Sequence, residues 1–211
     1  MQGVIDSLMK TRTFCKKNYN MFDDTFEFHE NCFEMLSNAA SLALDLLNFY
    51  KKIWSVPLID VTKEQAKMLQ KQNRDKVNEI TRWAFVSVVS SVEFSSKQLI
   101  SRILEGPLST LKKEKRLYLS KIFRVSKEYG ILNSQTYNEW TAIIGIRNNM
   151  VHNNAIAEYT ADYHVFDVHV SFVEGQMIQG NLLFFSKMIY FVATNIKDWI
   201  HAFINTHRLT T

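Results

Sequence analysis

Glycine and proline are scarce in this chain. It has six glycines and two prolines in 211 residues, where an average protein carries about 12% of the two together. Sandwiches and barrels need many tight turns, and tight turns need those residues. The scarcity excludes such folds and predicts long helices with few corners. Cysteine is scarce as well. Cys15 and Cys32 form no CxxC or zinc-ligand spacing, and two thiols make no disulfide framework. A reduced, cytoplasmic chain with no metal or cofactor is expected. Long apolar runs are missing too: 83–92 meets Glu93, and 182–193 contains Lys187. Neither reaches the ~20 uncharged residues of a membrane span, so no membrane partner is expected. The opening residues, MQGVIDSLMKTR, lack the apolar centre of a signal peptide. No P-loop, GxGxxG, GxSxG or HExxH occurs, which leaves nucleotide hydrolysis, Rossmann and zincin chemistry without support.

What is present is an ordinary globular composition. Hydrophobic residues make up 46% and charged residues 22%, which excludes disorder and low complexity. The length suffices for one apolar core without staples. Helical spacing of Val4, Ile5, Leu8 and Met9 predicts a first helix within 1–20. An acidic, aromatic segment over 22–34 carries Asp23, Asp24, Glu27, Glu30 and Glu34. Phe33, Leu36, Leu42, Leu46, Leu47 and Tyr50 form a broad stripe on a helix to about Trp54, which Pro57 ends. Thr62-Lys-Glu-Gln65 fits a capping box. No glycine or proline then appears before Gly106-Pro107, so a long helix is expected, bent or broken near residue 80.

Further helices are predicted over 109–128, stopping at Gly130, and from a cap at Asn133 or Ser134 to His152. Asn153-Asn154 suits a helix exit. Period-two alternation over 163–173 predicts a strand, Glu174-Gly175 a turn, and Met177-Ile178 a short return strand. A last, strongly apolar helix spans about 181–206. The expected fold is all-α: an antiparallel helical bundle with a small β-hairpin inserted before the last helix. A single domain covers 1–211, with 1–60 as an N-terminal helical extension and 62–206 as the core.

The chemistry concentrates in 143–154. Arg147, Asn148 and His152 end a helix there in an Arg-Asn-x-x-x-His pattern. Asn148 and His152 are four apart and share a face, and Arg147 sits about 100° round from Asn148, so all three can line one wall. His152 stands where the helix dipole favours a cation. The set suits metal-free phosphodiester chemistry: a guanidinium grips two phosphate oxygens, an imidazole moves a proton near neutral pH, and an amide orients either. RNA supplies its own nucleophile, the 2′-hydroxyl.

This segment closely resembles the Arg-x4-His motif of the HEPN superfamily (higher eukaryotes and prokaryotes nucleotide-binding). The resemblance covers roughly 65–206, including a long preceding helix with an embedded acid, Glu93, and a hydrophobic helix that follows. It implies an all-α bundle that forms a homodimer, two Arg/His pairs meeting at a shared cleft, and RNA as partner. Many members are metal-independent endoribonucleases in toxin–antitoxin or phage-defence systems, with an antitoxin or regulatory partner. Others are inactive modules that bind RNA, a nucleotide or a protein. Some toxin-type members carry a modifiable tyrosine two residues past the histidine; Asn154 stands there in this chain.

Three further groups stand out. In proteins of this kind an acid such as Glu93 orients the arginine; its other reading is an i,i+4 pair with Lys97. Lys112, Lys113, Lys115, Arg116, Lys121, Arg124 and Lys127 face only Glu114 and Glu128 within 107–128. That net +5 exceeds the +4 of the whole chain and suits salt-sensitive RNA binding, with a solvated helix face as its other reading. His164, Asp167 and His169 lie in the strand segment, with His164 expected opposite the other two, and read as surface positions; His201 and His207 read as structural.

Overall fold

The computed structural model describes residues 1–19, 27–54, 61–152, 155–166, 168–178 and 183–209 (side chains of 27–31 excepted). Among the described residues there are six α-helices: α1 Gln2–Asn18, α2 Glu27–Trp54, α3 Lys63–Arg102, α4 Leu119–Glu128, α5 Ser134–His152 and α6 Phe184–Thr206. The all-α expectation holds, and a two-stranded hairpin precedes the last helix, as the alternation suggested. Residues 20–26, with Asp23 and Asp24, and also Pro57, Asn153-Asn154 and Asp167 lie outside the described residues.

Helix α3 is one continuous rod of 40 residues, with no break at 80. Its start is fixed by the capping box. Thr62 Oγ1 accepts from the Gln65 N–H at 3.2 Å, and the Thr62 N–H donates to Gln65 Oε1 at 2.9 Å. Such a cap contributes about 1 kcal/mol. Phe85, Val88, Val92 and Leu99 form the buried face of α3, which packs on α2 and α6, while α1 packs on α2 and α6. Helices α4 and α5 pack on each other and on α3. One core joins Leu8 of α1, Leu36 and Leu47 of α2, Val88 of α3, Trp140 of α5 and Ile196 of α6. The α2 stripe is narrower than its sequence suggests. Leu36 and Leu47 are fully buried, but Leu42 and Leu46 are exposed, beside Phe49. The predicted stripe was too wide for the face that the neighbouring helices cover.

Three local differences matter. The stretch 109–128 is not one helix: a 3-10 turn, Ser109–Lys113, and an extended link precede α4. The hairpin lies inside the predicted strand. Strand β2 Ala161–Val165 pairs antiparallel with β3 Val168–Phe172, and the chain turns at Phe166, whose φ is 57°. The turn moves the inward positions from 163 and 165 to 168, 170 and 172, and the adjacent apolar pair Val165-Phe166 is its only mark in the sequence. Met177 forms only an isolated bridge with Ile156. Finally, a tail folds back: β4 Arg208–Leu209 pairs with β1 Ile103–Glu105. Gly106 makes this approach possible. Its φ is 143°, and a Cβ there would stand 2.4 Å from His207 Cδ2.

Candidate functional site

Asn133 starts α5, its Oδ1 accepting from the Thr136 N–H at 2.8 Å. Trp140, Ile143, Ile146 and Met150 point inward. The Trp140 ring packs on Phe123 with centroids 4.5 Å apart. With that face fixed, the periodicity of the helix turns Arg147, Asn148 and His152 toward one side. The hairpin braces the end of α5. Gly145 lies under Tyr159 and Phe172, where an added Cβ would meet the Tyr159 hydroxyl at 2.8 Å. Burial pushes the Tyr159 phenol up to about 12. Asn149, buried beside the motif, is structural: its Nδ2 donates to Gly145 O at 2.9 Å, and its Oδ1 accepts from the Glu158 N–H at 3.2 Å.

Arg147, Asn148 and His152 line one cleft of 380 Å³ with Glu93, Val89, Ile144 and the segment Tyr118-Leu119-Ser120. The motif residues and Glu93, about fifty positions apart in sequence, therefore share a site. Arg147 Nη2 stands 3.4 Å from Glu93 Oε2. It also donates to Ser90 Oγ at 3.3 Å, and Nη1 donates to Asn148 Oδ1 at 3.0 Å. Among the described residues, the buried Arg147 Nε–H has no acceptor. Both side chains are largely covered, 21% exposed for Arg147 and 17% for Glu93. Glu93 Oε1 meanwhile accepts from Lys97 Nζ at 2.7 Å. Glu93 makes both contacts at once: one carboxylate oxygen faces each cation. Lys97 offsets the carboxylate, so the cleft keeps a net positive charge from the arginine. His152 is exposed at the rim.

The basic residues do not form one helix face. Lys112 Nζ donates to Ile103 O at 2.7 Å. Lys121 pairs with Glu114 at 2.7 Å, and Arg124 stands 3.8 Å from Glu128. Lys127 lies 4.7 Å over the Tyr137 ring. Lys113, Lys115 and Arg116 are exposed and have no ion-pair partner among the described residues. They lead directly into Tyr118-Leu119-Ser120 at the cleft wall. The strip thus splits into residues tied to the fold and a short free segment beside the cleft.

Ser90 and Ser120 were not anticipated at the site, whereas Tyr118 carries a signal as an aromatic interleaved in the basic 107–128 stretch. Ser90 sits one helical turn before Glu93, the only sequence signal for it; Ser120 carried none. His164 and His169 are opposite each other in the hairpin register, with ring centroids 4.9 Å apart. They share a face, because a turn between them interrupts the single strand that the alternation predicts. His169 Nε2 stands 3.2 Å from Asp162 Oδ1. Among the described residues, no group of three His, Cys, Asp or Glu side chains is placed to hold a metal ion, and no helix is long and apolar enough to cross a membrane. Burial pushes both Cys15 and Cys32 up to about 12, which leaves neither thiol nucleophilic. Comparison with models of protein families, with curated proteins and with solved structures finds no match to this chain.

Proposed function

We propose that the chain is a metal-independent endoribonuclease of HEPN type, working at the Arg147–His152 cleft. The observation that carries this reading is the convergence of Arg147, Asn148, His152 and Glu93 on one cleft, with the arginine held at 3.4 Å by an acid from another helix. A guanidinium fixed in this way pays little entropy to receive a phosphate. In the proposed step His152 takes the proton of the 2′-hydroxyl, and O2′ attacks the adjacent phosphorus. The bond from phosphorus to O5′ breaks, and O5′ leaves with a proton from an imidazolium or water. Arg147 binds the equatorial oxygens as their charge grows, and Asn148 orients the guanidinium. The products are a 2′,3′-cyclic phosphate and a 5′-hydroxyl. Lys113, Lys115 and Arg116 would guide the strand by phosphate contacts. A toxin–antitoxin or defence setting, and a homodimer that brings two clefts together, belong to the same reading.

A second reading is binding without cleavage, in which the cleft holds RNA or a partner. It is favoured by the three contacts that already occupy the Arg147 guanidinium. The test is incubation of RNA with the protein in EDTA, beside His152→Ala and Arg147→Ala. Cleavage by the wild type alone supports the nuclease. Intact RNA with all three folded proteins, but retained RNA binding, supports the second reading.

A further inference from the structure

A second hollow lies between α3 and α5 beyond the cleft. Along α3, residues 75, 79, 82, 86, 89 and 93 recur at steps of three and four and so share one face. Val89 and Glu93 line the Arg147 cleft. Asp75, Glu79, Arg82 and Val86 line a second hollow of 610 Å³, closed on its far side by Met150 and Val151 of α5 and by Met177. From Arg82 to Glu93 the helix rises about 17 Å. The two hollows therefore follow one another along this face of α3, a few nucleotides apart along an extended strand.

Trp83 stands on the rim of the second hollow. It is 61% exposed and also borders an apolar hollow lined by Leu42, Leu46 and Tyr50 of α2; no ring packs on it among the described residues. The hollow beside it combines apolar walls (Val86, Met150, Val151, Met177) with hydrogen-bonding groups of both signs. Asp75 and Glu79 are offset by Arg82 and by Lys76, which lies 3.8 Å from Glu79. The wall is thus nearly neutral and repels a strand little. Apolar faces with polar edges are the chemistry of a nucleobase, and an exposed indole is the preferred stacking platform for one.

We propose that this hollow is a nucleobase subsite, in which Trp83 stacks a base of the same single strand whose phosphate lies at Arg147. The inference rests on the ribonuclease reading for its ligand and adds a position that sets affinity through bases rather than phosphates. The carboxylates of Asp75 and Glu79 accept from exocyclic amino groups, so adenine is favoured there over an abasic sugar.

The test uses the non-cleaving His152→Ala protein with two probes: a single-stranded oligoadenylate, and a strand of equal length and charge made of abasic ribose phosphates. The expected result is roughly tenfold tighter binding of oligoadenylate, in line with a single base stack. Adding Trp83→Ala should abolish that preference, Trp83→Phe should keep most of it, and both should leave abasic binding unchanged. A preference that survives Trp83→Ala overturns the subsite and leaves the ribonuclease reading intact. Failure of His152→Ala to bind either strand at low salt overturns both. A Trp83→Ala protein that keeps the base preference but changes its sedimentation marks Trp83 as a protein contact, which also overturns the subsite.

Discussion

At Arg147 the proposed chemistry depends on the contact with Glu93, 3.4 Å away. The pair is neither fully buried nor fully wet, so its worth lies between an exposed pair and a buried one, about 1–2 kcal/mol. Glu93→Gln should therefore lower the melting temperature by a few degrees while reducing cleavage more than tenfold, measured as kcat. Unchanged kcat would mean that Glu93 only supports the fold. His207 offers a separate test at the same scale. Phe203 O at 2.8 Å accepts from its Nδ1–H, which assigns the tautomer and leaves Nε2 to accept from the Leu108 N–H at 3.1 Å. Burial holds its pKa below the ordinary 6.5. The unfolded chain therefore takes up the proton first as pH falls, and stability declines below about pH 6.5. Denaturant midpoints from pH 8 to pH 5 should show this slope in the wild type and a shallower one in His207→Gln. Equal slopes would count against it.

Elements decide where those residues stand. Helix α5 presents its motif because Gly145 lets Tyr159 and Phe172 sit against its backbone. Gly145→Ala gains about 1 kcal/mol in helix propensity but crowds both rings, an overpacking cost of about 1–3 kcal/mol. The melting temperature should fall, and a rise would contradict the bracing role. Long elements with local signals were legible in sequence: the capping box at Thr62, the cap at Asn133 and the stop at Gly130 are all in place. The convergence of Arg147, Asn148 and His152 followed from helical spacing. What stayed hidden depends on distant partners. The pairing of β1 with β4 joins residues a hundred apart. The contact of Ser90 with Arg147 needs the packing of α5 on α3. The hairpin turn at Phe166 shifts the period by a single position with no glycine to announce it, and the break before α4 carries no glycine or proline to mark it.

Across the whole molecule, the net charge of +4 reduces to a small feature. Lys112, Lys121 and Arg124 are engaged within the fold, whereas Lys113, Lys115 and Arg116 are exposed, have no ion-pair partner among the described residues, and precede the cleft-wall segment Tyr118-Leu119-Ser120 in the chain. If these guide RNA, replacing the three with glutamine should weaken binding of any sequence. It should also flatten the plot of log affinity against log salt by about 0.7 for each lost phosphate contact. The same change at Lys121 and Arg124 should mainly affect stability. An unaltered salt slope in the triple variant would place the strand elsewhere. The central claim, a cleft that cleaves RNA through its own 2′-hydroxyl, is tested most directly by the ends of the product. Fragments made in excess EDTA should carry 2′,3′-cyclic phosphate and 5′-hydroxyl ends, and should vanish with His152→Ala. Fragments with 5′-phosphate and 3′-hydroxyl ends, or cleavage that the chelator abolishes, would contradict the account.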